Sequence, residues 1–434
     1  MKPSLTTLYE FRDRVQPRLE ELNQQVIRTA IAQGHTAGSY AALDGTTVAA
    51  NATRHRMIHL ATVQKRLQIL DQEIAALQRG EDVIPATEAS EPKASPAAAT
   101  TTGLPSPAEA SDARPQAWKA KTLAGKRRQR DQYRCARDVL QAKHAANTRR
   151  RKDKQKQLGK IRVAPGDPMA PFGLDKQKTY RPLYNVQTMS DVQTDLVLAY
   201  ATTRSVVDNG QLVPMIERTM KMTGRPLSDV LVDSGYPSGA DLAACQAKGV
   251  TVYAPWNENS LTETKRAQKK DKAQIPKDQF VFDPSAASYR CPQGKALTYR
   301  GRSKNQKANG DYFTLEIYEA DPADCAGCPL KAGCVRSRTG ARTVRRQEHE
   351  EQIEALRERM KQADAQAKYR KRGCTVERRF ADLKTHRGLE RFSGRSPARA
   401  DAQVGLTVLA HNLRTLEKLR IQQRQLASLG KTGS

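Results

Sequence analysis

Between Leu183 and Ala254 strand-like segments alternate with helical ones. That alternation constrains the fold more than any other feature. Segments 183–191 and 195–203 read as strands, with Val192, Gln193 and Thr194 as the hairpin between them. Asn209 to Met222 places Leu212, Met215 and Ile216 on one helical face. Val230, Leu231 and Val232 make a short apolar strand ending at Asp233, Asp241 to Lys248 is again helical, and Val250 to Ala254 is a further strand. An earlier Ala-Ala-Leu run entering Asp44-Gly-Thr, within 38–52, reads as a short buried strand and turn. With a last helix near 365–390, this order predicts an α/β domain with a mixed sheet. Such sheets carry chemistry at the carboxyl ends of their strands, where Asp44 and Asp233 are expected.

The flanking segments have other rhythms. Residues 5–33 read as one amphipathic helix, with Val15, Leu19, Leu22 and Val26 on a stripe and Gly34 as its stop. From His59 onward, Leu60, Val63, Leu67, Leu70, Ile74 and Leu77 form a heptad seam too short to stand without a partner helix. Residues 81–117, rich in Ala, Pro, Ser, Thr and Glu, read as a disordered linker. Residues 118–162 carry 17 Lys or Arg against three Asp and read as the helical return arm of a hairpin. One reading of that arm is a solvated charged face; the other is contact with DNA or RNA. Near the C-terminus Leu406, Leu409, Leu413 and Leu416 predict a packed helical stripe. Asp208, before Asn-Gly, reads as a helix cap.

Charge points to the partner. Lys and Arg total 74 against 46 Asp and Glu, a formal net charge of +28. A polyanion matches such an excess, because neutralising phosphates releases condensed counterions. No apolar run reaches the ~20 residues of a membrane helix, and the N-terminus lacks the apolar core of a secretory signal. The expectation is a cytoplasmic protein, without a membrane partner, whose seven cysteines stay reduced.

Three acids stand out by context: Asp44, Asp233 and Glu377. Brought together, three carboxylates can hold two Mg²⁺ ions about 3.5–4 Å apart, which supports in-line phosphoryl displacement. Lys384 follows Glu377 by two helical turns, so both should project from nearly one face. Each acid also has a plainer reading, as a turn residue, a cap or a surface ion pair. Cys291, Cys325, Cys328 and Cys334 have the spacing of a tetrahedral Zn²⁺ site, whose four protein ligands would make it structural. The plainer reading is four reduced structural thiols, and Cys135, Cys245 and Cys374 read as ordinary packing or surface residues.

The strings DGTTVAANATRHR, YNVQTMSD, LVDSGYPSG, YRCPQGKALTYRGRS, DCAGCPLKAGC, TVERRFADLKTHRGLERF and LAHNLRTLEKL occur in order. In that order they resemble a large group of bacterial insertion-sequence transposases of the DDE type, from residue 5 to 420. The resemblance implies a ribonuclease H-like mixed sheet interrupted by a helical-hairpin insertion and a zinc-ribbon-like cysteine insertion. The implied core comprises 38–52, 176–256 and 346–420. A helix at 1–37 precedes it, insertions fill 53–175 (with the linker 81–117) and 257–345, and 421–434 is a tail. It implies Asp44, Asp233 and Glu377 as catalytic Mg²⁺ (or Mn²⁺) ligands. It also suggests Tyr369, Arg372 and Lys384 as DNA contacts, although Arg372 lies one residue further from Glu377 than the related signature expects. The implied activity is metal-dependent cleavage and strand transfer on double-stranded DNA, at transposon ends and target. Dimerisation across two ends and association with the nucleoid go with it. Full-length relatives carry a further helical region ahead of the segment that begins here. The alternative is therefore a truncated, inactive DNA-binding remnant that competes with intact transposase.

Overall fold

The structure is a computed structural model that describes residues 3–80, 118–175, 177–256, 275–307, 310–336 and 340–429. The linker expected at 81–117 lies outside the described residues. The N-terminal stripe is divided between α1 (Leu5–Val15) and α2 (Leu19–Ala32), joined by a 3-10 turn at Gln16–Arg18. Pro17 explains the break, since it has no N–H to continue an α-helical ladder.

The central sheet contains β1 (Tyr40–Ala49), β2 (Phe172–Leu174), β3 (Tyr180–Asp191), β4 (Val197–Thr203), β5 (Asp229–Leu231) and β6 (Thr251–Tyr253). β3 pairs antiparallel with β1, β2 and β4, while β5 runs parallel to β1 and β6 parallel to β5. This mixed α/β architecture is consistent with a ribonuclease H-like domain. Asp44 does not sit in a turn, as the Asp-Gly pair suggests. It lies inside β1, opposite Thr188, with Gly45 opposite Gln187. Pairing with β3 along 41–49 overrides the turn propensity of Asp-Gly. The parallel pairing of β1 with β5, however, ends at Ala42 opposite Leu231. Asp44 therefore does lie just beyond the carboxyl edge of the parallel strands.

Alternation along β1 sorts the two cores. Ala41 and Leu43 pack on one face with Met189, Val230, Leu212, Met215 and Ile216. Ala42 and Val48 pack on the other with Tyr184, Val186, Leu231, Val376 and Phe380. α5 (Leu212–Thr223) and α6 (Gly239–Ala247) follow β4 and β5. The end of α5 is set by Gly224 at φ +68°, a left-handed cap that suits glycine.

α3 (Leu60–Gln78) and α4 (Leu123–Arg149) form the expected hairpin. Val63, Leu67 and Leu70 meet Tyr133, Ala136 and Leu140 in a core of their own. α4 stops at Arg149; the expected helix through 162 gives way to two 3-10 turns. The cysteine-rich segment is a five-stranded antiparallel sheet: β7 (Val281–Asp283), β8 (Ser288–Arg290), β9 (Ala296–Gln306), β10 (Tyr312–Ala320) and β11 (Thr343–Gln347).

The C-terminal part is helical: α7 (Glu350–Lys361), α8 (Ala363–Ala381) and α9 (Pro397–Leu429). Of the predicted leucine row, Leu416 is buried and Leu406 and Leu409 are half-buried, while Leu413 is 51% exposed. Ala400, Val404, Val408, His411 and Asn412 also face inward. Asn412 donates to the Val197 carbonyl and accepts from its N–H, at 2.9 and 2.8 Å. That pair satisfies backbone groups on β4 that a leucine would strand.

Candidate active site

Side-chain parity brings the first acids together. Asp44 lies on the same face of β1 as Ala42 and Val48, and α8 covers that face through Val376 and Phe380. α8 docks there because Ala365, Tyr369, Val376 and Phe380 recur at helical spacing. Tyr40 donates to the Lys368 carbonyl at 3.2 Å, and Lys368 donates to Tyr253 at 3.1 Å, pinning the helix to β1 and β6.

From α8, Arg372 Nη2 donates to Asp44 Oδ1 at 3.0 Å, with side chains 16% and 24% exposed. Tyr369 lies close to Arg372 on the same helix. Burial pushes the Tyr369 hydroxyl pKa up; Arg372 opposes this, while Asp233 and Asp44 add to it. Asp233, two positions past β5, is exposed. Its Oδ1 accepts from the Ser234 N–H at 2.6 Å and from the Ser234 hydroxyl at 3.2 Å. Asp44, Asp233, Tyr369 and Arg372 thus share one solvent-open edge.

Glu377 is on α8 but exposed. Lys384 lies in a π-helical turn, Asp382–His386, whose wider winding changes the helical phase. The two-turn spacing of Glu377 and Lys384 is therefore shifted from the regular α-helical phase. Lys384 Nζ instead donates to the Thr47 carbonyl on β1 at 3.2 Å.

A side-chain network on the Gly45 face of β1, opposite to the face of Asp44, escaped the sequence reading. Asp208 does not cap α5, whose N-cap is Gln211 without a side-chain bond. Its Oδ1 accepts from Asn185 at 2.8 Å and Gln187 at 2.7 Å. Gln187 in turn accepts from the Tyr236 hydroxyl at 2.6 Å. Burial pushes the Tyr236 hydroxyl pKa far up, and the charges of Asp208 and Asp44 add to this. Asn185 and Gln187 two apart on a predicted strand were the available signal, because they share a face.

Carboxylate oxygens are the donors that a hard divalent cation takes, and a cation already stands against Asp44 in the form of Arg372. The donor type fits. Among the described residues, however, no three His, Cys, Asp or Glu are gathered closely enough to hold a metal ion. The four cysteines show the same pattern. All are free thiols, and Cys334 feels the charges of Cys325, Cys328 and Cys291. Cys291 opens a tight turn, with the Gly294 N–H donating to its carbonyl at 2.8 Å. Burial raises the Cys334 thiol pKa.

Residues 290–417 match the family model described as Transposase DDE domain. The match supports a DDE-type transposase. The matched stretch carries Tyr369, Arg372, Glu377, Lys384 and the four cysteines, while Asp44 and Asp233 precede it. No curated protein and no solved structure matches the chain. Among the described residues, no helix is long and apolar enough to cross a membrane.

Proposed function

We propose that this transposase cleaves DNA at the ends of a mobile element and joins the freed 3′-hydroxyl to target DNA. The observation that carries the reading is the meeting of Asp44, Asp233, Tyr369 and Arg372 at one sheet edge, beneath a helix inside the matched DDE domain. Asp44, Asp233 and Glu377 are the residues that would hold divalent metal. When bound, such an ion would offset phosphate charge and make water or a 3′-hydroxyl a better nucleophile. The chain's own groups supply the positioning. Arg372 and Lys384 would supply positive charge to a scissile phosphate, with Tyr369 beside Arg372. A net charge of +28 suits a double-stranded DNA substrate. The four neighbouring thiols would hold a structural Zn²⁺.

A second reading is a DNA-binding protein without catalysis. It is favoured by the engagement of Asp44 with Arg372 and by the spread of the three acids. Strand transfer separates the two. A pre-cleaved element end with a free 3′-hydroxyl, mixed with supercoiled plasmid and Mg²⁺, should give joined product with wild type and none with Asp233→Asn. Binding of the end by wild type without any joined product would favour the second reading.

A further inference from the structure

A cavity of about 720 Å³ lies between the helical hairpin and β2. Arg54, Lys143, Arg150, Lys156, Lys160 and Arg162 line it, and no Asp or Glu does. Among the described residues, Arg54 bonds its neighbour His55, and Arg162 the Gly159 carbonyl. None of the six pairs with a carboxylate among the described residues. Lys143 is half-buried, and burial together with Lys156 holds its ammonium pKa down. A cluster of like charges without counter-charge is unfavourable in the free protein and favours an anionic occupant.

The wall opposite the cations is aromatic. Phe172 lines the cavity and stacks on Tyr180, with centroids 5.9 Å apart and planes 20° from parallel. They are 43% and 61% exposed, so ring surface is open beside the cations. Val206, 42% exposed, extends the apolar side. The volume falls within the ~300–1,000 Å³ of sites that enclose small ligands, which suits an unpaired nucleotide. Positive charge plus an open π-face is the chemistry that binds single-stranded nucleic acid. The cavity also opens where β1 ends. β2 pairs with β3 at Pro182, next to the Leu183 that faces Ala49, and Ala49 is five residues from Asp44, roughly 17 Å along the strand.

We propose that this cavity binds an unpaired segment of DNA, its phosphates held by Lys143, Lys156 and Lys160 and a base stacked on Phe172. The proposal rests on the DNA-transposase reading but is tested by binding alone.

The test is fluorescence anisotropy with three labelled probes: a single-stranded oligothymidine, an abasic strand of equal length, and a duplex. Phe172→Ala should weaken the oligothymidine about ten-fold, as loss of one base–aromatic stack does. It should leave the abasic strand and the duplex unchanged, and Phe172→Trp should restore binding. Lys156→Glu with Lys160→Glu should weaken both single strands and make the salt dependence shallower. Unchanged thermal unfolding of Phe172→Ala shows that folding is not the cause. If Phe172→Ala affects all three probes equally, or none, the proposal is overturned. Because no cleavage is measured, that result leaves the transposase reading standing; loss of strand transfer with normal single-strand binding sinks only the latter.

Discussion

Arg372 and Asp44 lie 328 positions apart in the chain, yet their side chains meet at 3.0 Å across the edge of the central sheet. This contact joins the first acidic block of the sequence to the helix that carries the last one. It also places a guanidinium where a metal ion would have to compete for the same oxygen.

That competition sets the first prediction. Arg372→Gln removes the charge facing Asp44, so Mn²⁺ should bind about five-fold more tightly, the equivalent of an ion pair worth about 1 kcal/mol. Titration calorimetry on the DNA-free protein measures it. An unchanged affinity would mean that Asp44 takes no part in metal binding.

Gly45 has no room for a side chain. A Cβ there would run into the Asp208 carboxylate and the Gln187 amide, with Asn185 Oδ1 at 3.0 Å. Gly45→Ala should therefore destabilise the protein by about 1–3 kcal/mol, the usual cost of overpacking, in urea unfolding. A stability equal to wild type would show that the Asp208 network yields easily.

Glu73 gives a pH dependence of known sign. Its side chain is 8% exposed and bonds Lys126 and, at 2.7 Å, Lys119, tying α3 to the start of α4. Burial alone would raise its pKa, but the two lysines outweigh burial and hold it below the usual glutamate value of 4.5. With the folded pKa below the unfolded one, the unfolded chain binds more protons in the window between them. The stabilisation is present above about pH 4.5 and is lost as pH falls through the folded pKa. Trp118, edge-on to Tyr133 at 5.9 Å, reports on the hairpin by fluorescence. Glu73→Gln should abolish the acid transition and cost about 3 kcal/mol, because it leaves two cations over a half-emptied site. A transition that persists in Glu73→Gln would assign it to other groups.

The cysteine cluster makes a metal prediction. Purified protein should contain one equivalent of Zn²⁺ by elemental analysis, and Cys325→Ser with Cys328→Ser should lose it. Cys245, whose thiol burial pushes up to about 12, should stay unreactive toward thiol reagents at pH 8 in either form. Metal-free wild-type protein with four fully reactive cluster thiols would leave them as ordinary reduced cysteines.

Much of this was legible in the sequence because local pattern and tertiary packing agree. The apolar runs of β3, β4 and the Val-Leu strand before Asp233 match their continuous burial, and the α3 seam carries a periodicity that matches its own. The misses came where tertiary contacts overrode local preference. Asp44-Gly45 reads as a turn, but pairing with β3 keeps it extended. Asp208 reads as a cap, but two amides on β3 draw its carboxylate away. The Glu377–Lys384 phase assumed a regular α-helix, and a π turn at 382–386 changes it. The leucine row of α9 is buried only in part, because the inner face also satisfies the Val197 backbone. The contact of Arg372 with Asp44 is non-local and no spacing encodes it.

The most direct test of the central claim is strand nicking at the element's own end, on labelled duplex with Mg²⁺ or Mn²⁺. Wild type is compared with Asp44→Ala, Asp233→Ala and Glu377→Ala. The account predicts that wild type nicks at the end and that each substitution abolishes nicking while DNA binding persists. Wild-type protein that binds the end and never nicks it, or nicking that survives loss of any one of the three acids, would contradict it.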